Sequence, residues 1–376
     1  VSKENRPLPI VEMGLFMDME GIPIAFSISP GNVNEQGTMI PLEKKMLENF
    51  DMSQFIVCTD AGLASASNRY FNDYDNEDGN RGFITTQSLK NLKSFLKEWA
   101  LDPSGWMLSG GPSGKQYDIR ELDEDQDREK LFFKSRWIKE PSRVNVDGKE
   151  RKVTVEQQLI VSYSIKYRDY LRSVRNGQID RAKKLIEKGD ALPGKRKPTD
   201  PKRFIHTDHA TRDGEIADLS RSYIDQRVID DEEQYDGFYA VCTNLKDDPE
   251  RIVKVNKRRW EIEECFRIMK TDFEARPVYV KRKDRILAHF MTCFIALIVY
   301  RYLEKKLDNE YTIDQIISTL QEMDFLKYEG KGYQPIYTRT ELTDALHEVF
   351  GSCTSKQIVP IKKMRNICSK TKKQEA

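Results

Sequence analysis

The sequence is poor in the residues that build zinc sites and disulfide frameworks. It contains four His and six Cys in 376 residues. No Cys-x-x-Cys spacing occurs, and the near neighbours His206 and His209 have no second pair of ligands to complete a zinc site. The scattered cysteines therefore argue against a disulfide scaffold and predict reduced, mostly buried thiols in a cytoplasmic protein.

An excess of positive charge is also missing. Charged residues make up 33% of the chain, yet the formal net charge is only +1. A protein whose whole surface attracts nucleic acid carries a clear excess of Lys and Arg, so any basic binding surface in this chain must be local.

Long apolar runs are absent as well. The longest one, Phe290 to Tyr300, is too short to span a bilayer by itself. It lies inside Arg285 to Lys306, which predicts a long core helix. We interpret His289 within that helix as a satisfied core residue.

What is present at the start of the chain is an alternation of strand-like and helix-like segments. The predicted strands are Ile10 to Phe16, Ile22 to Ile28, Phe55 to Thr59 and Arg81 to Thr86, and the predicted helices are Thr38 to Phe50 and Ala64 to Phe71. The continuous apolar run in the third strand indicates a strand covered on both faces, as in the interior of an α/β sheet.

Asp60 follows that buried strand directly. A carboxylate at the carboxyl end of a sheet strand, with small residues after it, is well placed for a site in the crevice above the sheet. The alternative is a helix cap, which is a common role for Asp. Taken alone, the residue pattern favours the cap.

The middle of the chain has a different character. From about Gln87 to Asp236 it is highly charged and interrupted by Gly and Pro. The strands predicted there are Leu131 to Ile138 and Val153 to Ser164, followed by a helix over Tyr167 to Lys188 and a basic loop over Leu192 to Arg203. This pattern is typical of an insertion into a sheet domain, and a strand within Asp236 to Asn244 then returns to the sheet.

The segment from Arg251 to Arg276 predicts one amphipathic helix. At helical spacing, Arg259, Glu263 and Arg267 follow one another at i, i+4 and i+8 beside an apolar face. Ordinary surface ion pairing produces the same pattern, so the spacing alone does not identify a functional site.

The order of residues in this segment resembles the signature helix of insertion-sequence transposases that carry a DDE triad on a ribonuclease-H-like fold. In the branch with a Tyr-Arg-Glu-Lys signature, Arg259, Glu263 and Lys270 match the last three positions, and Asn256 stands where the family has Tyr. The departure at Asn256 removes the ring contact that the family's Tyr makes.

The resemblance implies a fold class and a domain order. The fold would be α/β, with a ribonuclease-H-like mixed sheet flanked by helices and interrupted by a mainly β insertion. The first part of the core would be 1–86, the insertion 87–236, the second part of the core 237–310, and a C-terminal helical region with a frayed, Lys-rich tail 311–376.

The resemblance also implies the site and its partners. Asp60 and Glu263 would be catalytic carboxylates and the ligands of Mg²⁺ or Mn²⁺, with two ions in the complete site. Arg259, Lys270, Asn256 and Arg267 would bind DNA phosphates. The protein would cleave and rejoin double-stranded DNA at element ends, as a homodimer, in the bacterial cytoplasm and associated with the nucleoid when bound to DNA.

One member of the triad has no counterpart in the sequence. The family's first catalytic Asp lies just upstream of a segment like Ser2-Lys3, so we expect it to precede Val1 and the chain as written to cut DNA poorly or not at all. Asp18, in a predicted turn, is a minor candidate for a substitute. The alternatives are a non-catalytic DNA-binding remnant and a plain interaction domain.

Overall fold

The computed structural model describes residues 10–50, 55–73, 80–146, 149–189, 199–210 and 219–370. The chain divides into two compact units. The sheet unit is Asn34–Arg259, and the hairpin–helix unit is Val1–Val33 together with Trp260–Ala376.

The described elements include both strands and helices throughout the chain. The strands are β1 Val11–Met17, β2 Pro23–Pro30, β3 Phe55–Thr59, β4 Arg81–Thr86, β5 Met107–Leu108, β6 Phe132–Val146, β7 Lys149–Tyr163, β8 Ile205–Ala210, β9 Leu219–Ile224, β10 Phe238–Thr243, β11 Phe325–Tyr328 and β12 Gly332–Pro335. The helices are α1 Met39–Asn49, α2 Ala66–Phe71, α3 Ser94–Leu101, α4 Ile165–Glu187, α5 Gln226–Glu233, α6 Pro249–Lys257, α7 Trp260–Thr271, α8 Lys283–Lys306, α9 Ile313–Glu322, α10 Glu341–Val349 and α11 Ile361–Lys370.

The sheet unit is built on a mixed six-stranded sheet in the order β3-β4-β10-β7-β6-β5. Strands β3 and β4 are parallel, and the other neighbours are antiparallel. The predicted α/β fold class is confirmed, since this flanked mixed sheet is compatible with a ribonuclease-H-like fold. Strands β6 and β7, which lie in the predicted insertion, pair in this same sheet, and the insertion itself stays a prediction.

The central strands of the sheet are buried on both faces. The prediction that β3 is covered on both faces is wrong, because β3 is an edge strand and its Ile56 is 42% exposed. Ile84, Ile160 and Val241 pack on one face against Ile252 and Val253 of α6. Alternate residues of the same strands point to the other face, where α3 and the start of α4 cover them. Burial on both sides explains why these strands read as continuous hydrophobic segments.

The strand register defines which ends of the strands meet. Thr59 lies opposite Thr85, and Thr86 lies opposite Val241 in the middle of β10, whose amino end continues past the end of β4. The carboxyl ends of β3 and β4 and the amino end of β10 therefore share one edge of the sheet, which we call the carboxyl edge.

A smaller apolar cluster forms around the end of α4. Ile179 and Ala182 pack there with Phe204, Ile205 and Ile229. The predicted helix over Tyr167 to Lys188 is confirmed by α4. Most of the predicted basic loop from Leu192 to Arg203 lies outside the described residues.

In the hairpin–helix unit, β1 and β2 form the predicted hairpin. Asp18 closes its turn, with Oδ1 accepting hydrogen bonds from the amides of Glu20 at 2.8 Å and Ile22 at 2.9 Å. Gly21 has φ +81°, and Arg301 of α8 donates to its carbonyl at 3.1 Å. The Asp18 carboxylate thus has a structural role in the turn.

Helix α8 is the longest helix of the hairpin–helix unit. Phe294 packs on Phe26 of β2 with ring centroids 4.8 Å apart, and Leu297 is fully buried. The opposite face is solvated, since Ile295 is 54% and Val299 61% exposed. The predicted core helix is therefore buried on one side only. By length and composition alone, α8 is also long and apolar enough to cross a membrane.

His289 in α8 is bonded as predicted, because its Nε2 lies 2.8 Å from the carbonyl oxygen of Ala275. The tail differs from expectation. Residues predicted to be frayed form α11, and only 371–376 lie outside the described residues.

Candidate functional site

Asp60 lies at the carboxyl edge of the sheet unit, directly after β3. It is exposed, and its Oδ1 accepts a hydrogen bond from the amide of Leu63 at 3.1 Å, which caps the short 3-10 turn Ala61–Leu63. Asp60 therefore has the capping role that the sequence analysis gave as the alternative to a site residue. One oxygen is used by the cap, so a carboxylate in this position can cap a turn and still present an oxygen to solvent.

The small residues after Asp60 keep that carboxylate accessible. A Cβ at Gly62 would come within 3.1 Å of Asp60 Oδ1. The carbonyl of Gly62 is fixed by the side chain of Gln36, whose Nε2 donates to it at 3.1 Å. A larger residue at position 62 would crowd the Asp60 carboxylate, and this explains why glycine suits that position.

Arg259 is tethered at the same edge. Its Nη1 donates to the carbonyl oxygen of Thr59 at 3.3 Å and to Oγ1 of Thr86 at 2.5 Å. These partners end β3 and β4, so the guanidinium bridges the two strands beside Asp60. The sequence placed Arg259 on one helix with Glu263 and did not predict this tether to the sheet.

The bond to Thr86 is the first in a chain of hydrogen bonds that we call the carboxyl-edge network. The hydroxyls of Thr86 and Tyr239 are 2.8 Å apart, and the Tyr239 hydroxyl donates to Oδ1 of Asn256 at 2.7 Å. Asn256 Nδ2 in turn donates to Sγ of Cys58 at 3.6 Å. Because Tyr239 has one proton and gives it to Asn256, Thr86 must donate to Tyr239, and all the bonds run in one direction from Arg259 to Cys58.

The network holds Asn256, the residue predicted to bind DNA phosphate. Its side chain is 1% exposed, and both ends of its amide are used within the sheet unit. A phosphate contact would require breaking those bonds, and the phosphate-binding role of Asn256 stays a prediction. Burial raises the pKa of the Cys58 thiol to about 11, which keeps the last member of the network neutral.

Sequence reasoning missed Tyr239 and Thr86. Tyr239 places a phenol against Asn256, the position at which the resembling family has Tyr. The sequence does contain a pattern that points to Tyr239: Tyr239 and Val241 are two residues apart in β10 and share the face of the strand that α6 covers. Pairing across strands decided the contact, and a single sequence does not reveal that pairing.

The predicted single helix from Arg251 to Arg276 is interrupted. Helix α6 ends at Lys257 with Arg258 as its C-cap, and α7 begins at Trp260. Arg259 therefore precedes α7, and the i, i+4 relation with Glu263 on one continuous helix is wrong. Arg259 belongs to the sheet unit and Glu263 to the hairpin–helix unit. The pairing of Glu263 with Asp60 stays a prediction.

Glu263 is an exposed carboxylate in the first turn of α7. Its predicted partner, Arg267, instead donates to Glu264 at 2.7 Å and to Asp272 at 3.4 Å. That hydrogen bond lowers the pKa of Glu264. In the described part of the chain Glu263 has no ion pair, so its charge is available to an external cation.

Lys270 lies on the same side of α7 as Glu263. Its Nζ is 5.5 Å from the centre of the Phe266 ring, and the side chain is exposed. An open depression of about 380 Å³ is lined by Glu263, Phe266, Arg267, Lys270, Thr271 and Arg276. A surface with one carboxylate and several cations is suited to a phosphate group near a metal ion.

No cluster of three or more His, Cys, Asp or Glu side chains that could hold a metal ion occurs among the described residues. The donor chemistry still fits, because Asp60 and Glu263 are exposed hard oxygen ligands of the kind that Mg²⁺ prefers.

Comparison with protein families gives one finding that covers most of the chain. The family model described as "Transposase DDE domain" matches residues 9–299. A comparison with curated proteins gives no match.

Proposed function

The chain belongs to the transposase DDE domain family, and on that premise we propose that it is the catalytic region of an insertion-sequence transposase. The reaction would be metal-dependent cleavage of DNA at element ends, followed by strand transfer. The observation that carries the proposal is the state of the two predicted carboxylates: both are exposed, and neither takes part in an ion pair in the described part of the chain.

Asp60 and Glu263 would hold the metal ion, Mg²⁺ or Mn²⁺. When bound, the ion supplies positive charge to the attacking and leaving oxygens of the phosphodiester. The protein would supply two negatively charged ligands whose neighbours do not neutralise them.

Arg259 and Lys270 would hold phosphates on either side of the scissile bond. Arg259 offers a guanidinium that the carboxyl-edge network fixes in place, and Lys270 offers an exposed point charge. Such contacts position DNA and carry little sequence information. Arg267 would contribute less, because its guanidinium is shared with two carboxylates.

The residues of this chain would therefore divide the work. Asp60 and Glu263 bind the metal, Arg259 and Lys270 orient the backbone, and Asn256 acts through Arg259 by anchoring the network. We also propose that the active form is a homodimer that bridges two element ends, which sedimentation with and without end DNA would test.

The decisive experiment is a matched pair of isosteric variants. Glu263→Gln should reduce nicking of a supercoiled plasmid in Mg²⁺ or Mn²⁺ on the order of 10³-fold, because a metal ligand loses its charge. Glu264→Gln, one residue along, should change the rate only about 2-fold, since it removes an exposed ion pair. Equal losses in the two variants would contradict the assignment.

The same experiment needs a form of the protein that cuts DNA. Nicking should be measured for the chain alone and for the chain extended by whatever coding sequence precedes Val1 in its gene. Titration of Mn²⁺ by calorimetry provides a second readout, because Asp60→Asn and Glu263→Gln should each weaken metal binding whether or not the protein cuts.

A non-catalytic DNA-binding remnant remains the second candidate. The observation that favours it is the absence of a three-ligand cluster among the described residues. In that case Arg259 and Lys270 would still contact phosphate, while both forms of the protein would bind DNA and neither would nick it in any divalent metal.

A further inference from the structure

The C-terminal end of the chain carries a concentration of positive charge. From residue 349 to residue 374 the sequence contains seven Lys and Arg and no Asp or Glu, although the whole chain has a net charge of only +1. This stretch lies beyond residue 299, where the match to the transposase family ends. A chain with almost no net charge can still carry a basic surface in one place, and this stretch is such a local concentration.

The segment is fixed to the hairpin–helix unit by a backbone pair. The amide of Tyr333 donates to the carbonyl of Val359 at 2.9 Å, and the amide of Val359 donates back at 2.7 Å. Gly332 makes this approach possible, since it has φ +138° and a Cβ there would lie 2.4 Å from the Val359 carbonyl oxygen. Val359 itself is fully buried.

Side chains fix the segment at a second point. The Thr354 hydroxyl lies 2.7 Å from the hydroxyl of Tyr337 and 2.8 Å from Nε2 of His347. Lys363 of α11 donates to the carbonyl of Cys353 at 2.6 Å. The chain from residue 353 to α11 is thus attached on both sides of Lys356.

Three described cations of this scaffold point outward. Lys356, Lys362 and Arg365 are exposed, and in the described part of the chain none of them has an acidic partner. On α11 the apolar residues Ile361 and Met364 are half-buried instead. Three uncompensated cations on a fixed surface attract a polyanion and gain from the release of its counterions.

We propose that Lys356, Lys362 and Arg365, the basic surface of α11 and the segment before it, bind the phosphate backbone of duplex DNA without reading its sequence. The inference rests on the proposed function in one respect, that DNA is the polyanion on which this protein works. The basic surface would hold flanking DNA and would take no part in the cleavage step.

The test is the salt dependence of binding to a labelled 30-base-pair duplex of arbitrary sequence. Three phosphate contacts contribute about 2.7 to the magnitude of the slope of log K against log salt. The triple variant K356Q/K362Q/R365Q lacks this contribution. When salt is raised from 50 to 200 mM, the unmodified chain should therefore lose about 40-fold more affinity than the triple variant. A charge-conserving variant, K356R/K362R/R365K, should retain the slope of the unmodified chain.

The control changes the same number of charges elsewhere. Lys45, Arg181 and Lys246 are exposed cations of the sheet unit, and K45Q/R181Q/K246Q should leave the slope within about 1 of the unmodified value. An unchanged slope in K356Q/K362Q/R365Q, or an equal drop in the control, would overturn the inference. Binding is read without cleavage, so the two proposals fail separately. An unchanged slope in a protein that nicks DNA refutes the basic surface alone. The expected change in slope, with no nicking by either the chain or its extended form, refutes the catalytic proposal alone.

Discussion

The two ends of strand β4 each carry a buried polar group, and they are organised differently. At the carboxyl end, the network from Arg259 through Thr86, Tyr239 and Asn256 to Cys58 gives each donor an acceptor. At the amino end, Glu43 of α1 is fully buried against Asn72, whose Nδ2 donates to one carboxylate oxygen at 3.0 Å. The other oxygen, Oε1, has no hydrogen-bond partner in the described part of the chain.

The difference has an electrostatic consequence. Burial raises the pKa of Glu43 to about 7, and the hydrogen bond from Asn72 and the charge of Arg81 offset only part of that shift. At the carboxyl edge, the full charge in the network is that of the Arg259 guanidinium. Complete hydrogen bonding therefore holds a permanent charge next to Asp60, whereas incomplete hydrogen bonding leaves a group that changes its charge with pH.

The largest expected effect is at the amino end. The raised pKa means that Glu43 contributes stability that is fully present below about pH 4.5 and is lost as the pH rises through about 7. A shift of this size corresponds to about 3 kcal/mol. Measured by urea unfolding, the stability of the unmodified chain relative to Glu43→Gln should fall by that amount across this pH range.

The control for Glu43 is on the same helix. Glu48 is exposed, so Glu48→Gln should show a much smaller change with pH relative to the unmodified chain. If the unfolding free energies of both variants, relative to the unmodified chain, do not change with pH, then Glu43 has no raised pKa and the contrast between the two ends of β4 is wrong.

The next effect breaks the network at the carboxyl edge. Tyr239→Phe removes the donor to Asn256 and leaves a buried acceptor unsatisfied, which costs about 1–3 kcal/mol of folding free energy. Urea unfolding measures this loss, and Tyr279→Phe serves as control because Tyr279 is 86% exposed. Similar values for the two variants would show that the network contributes nothing to stability.

The smallest effect separates the two roles of Asp60. Asp60→Ala removes the cap on Leu63 and should cost about 1 kcal/mol, while Asp60→Asn keeps a capping oxygen and should cost only a few tenths. Both variants should lose metal-dependent nicking. If Asp60→Asn cuts DNA at the normal rate, Asp60 is a cap and nothing more.

Much of the fold could be predicted where local sequence and burial agree. The strand over Arg81–Thr86 has the predicted bounds, and the predicted helix over Thr38 to Phe50 matches α1 to within one residue at each end. The interruption at Arg258–Arg259 could not be predicted, because no Pro or Gly marks it. At this interruption the Arg259 side chain bonds to Thr59 and Thr86, and those partners are far away in sequence.

By itself, the sequence determined the α/β pattern, the presence of Asp60 after an apolar strand, and the order Arg259, Glu263 and Lys270, because apolar periodicity and residue spacing are local properties. Tertiary structure decided which groups those residues meet. It buried Asn256 under Tyr239, paired Arg267 with Glu264, left Glu263 exposed and fixed the basic surface near Val359, since each of these contacts depends on strand register and helix packing between distant segments.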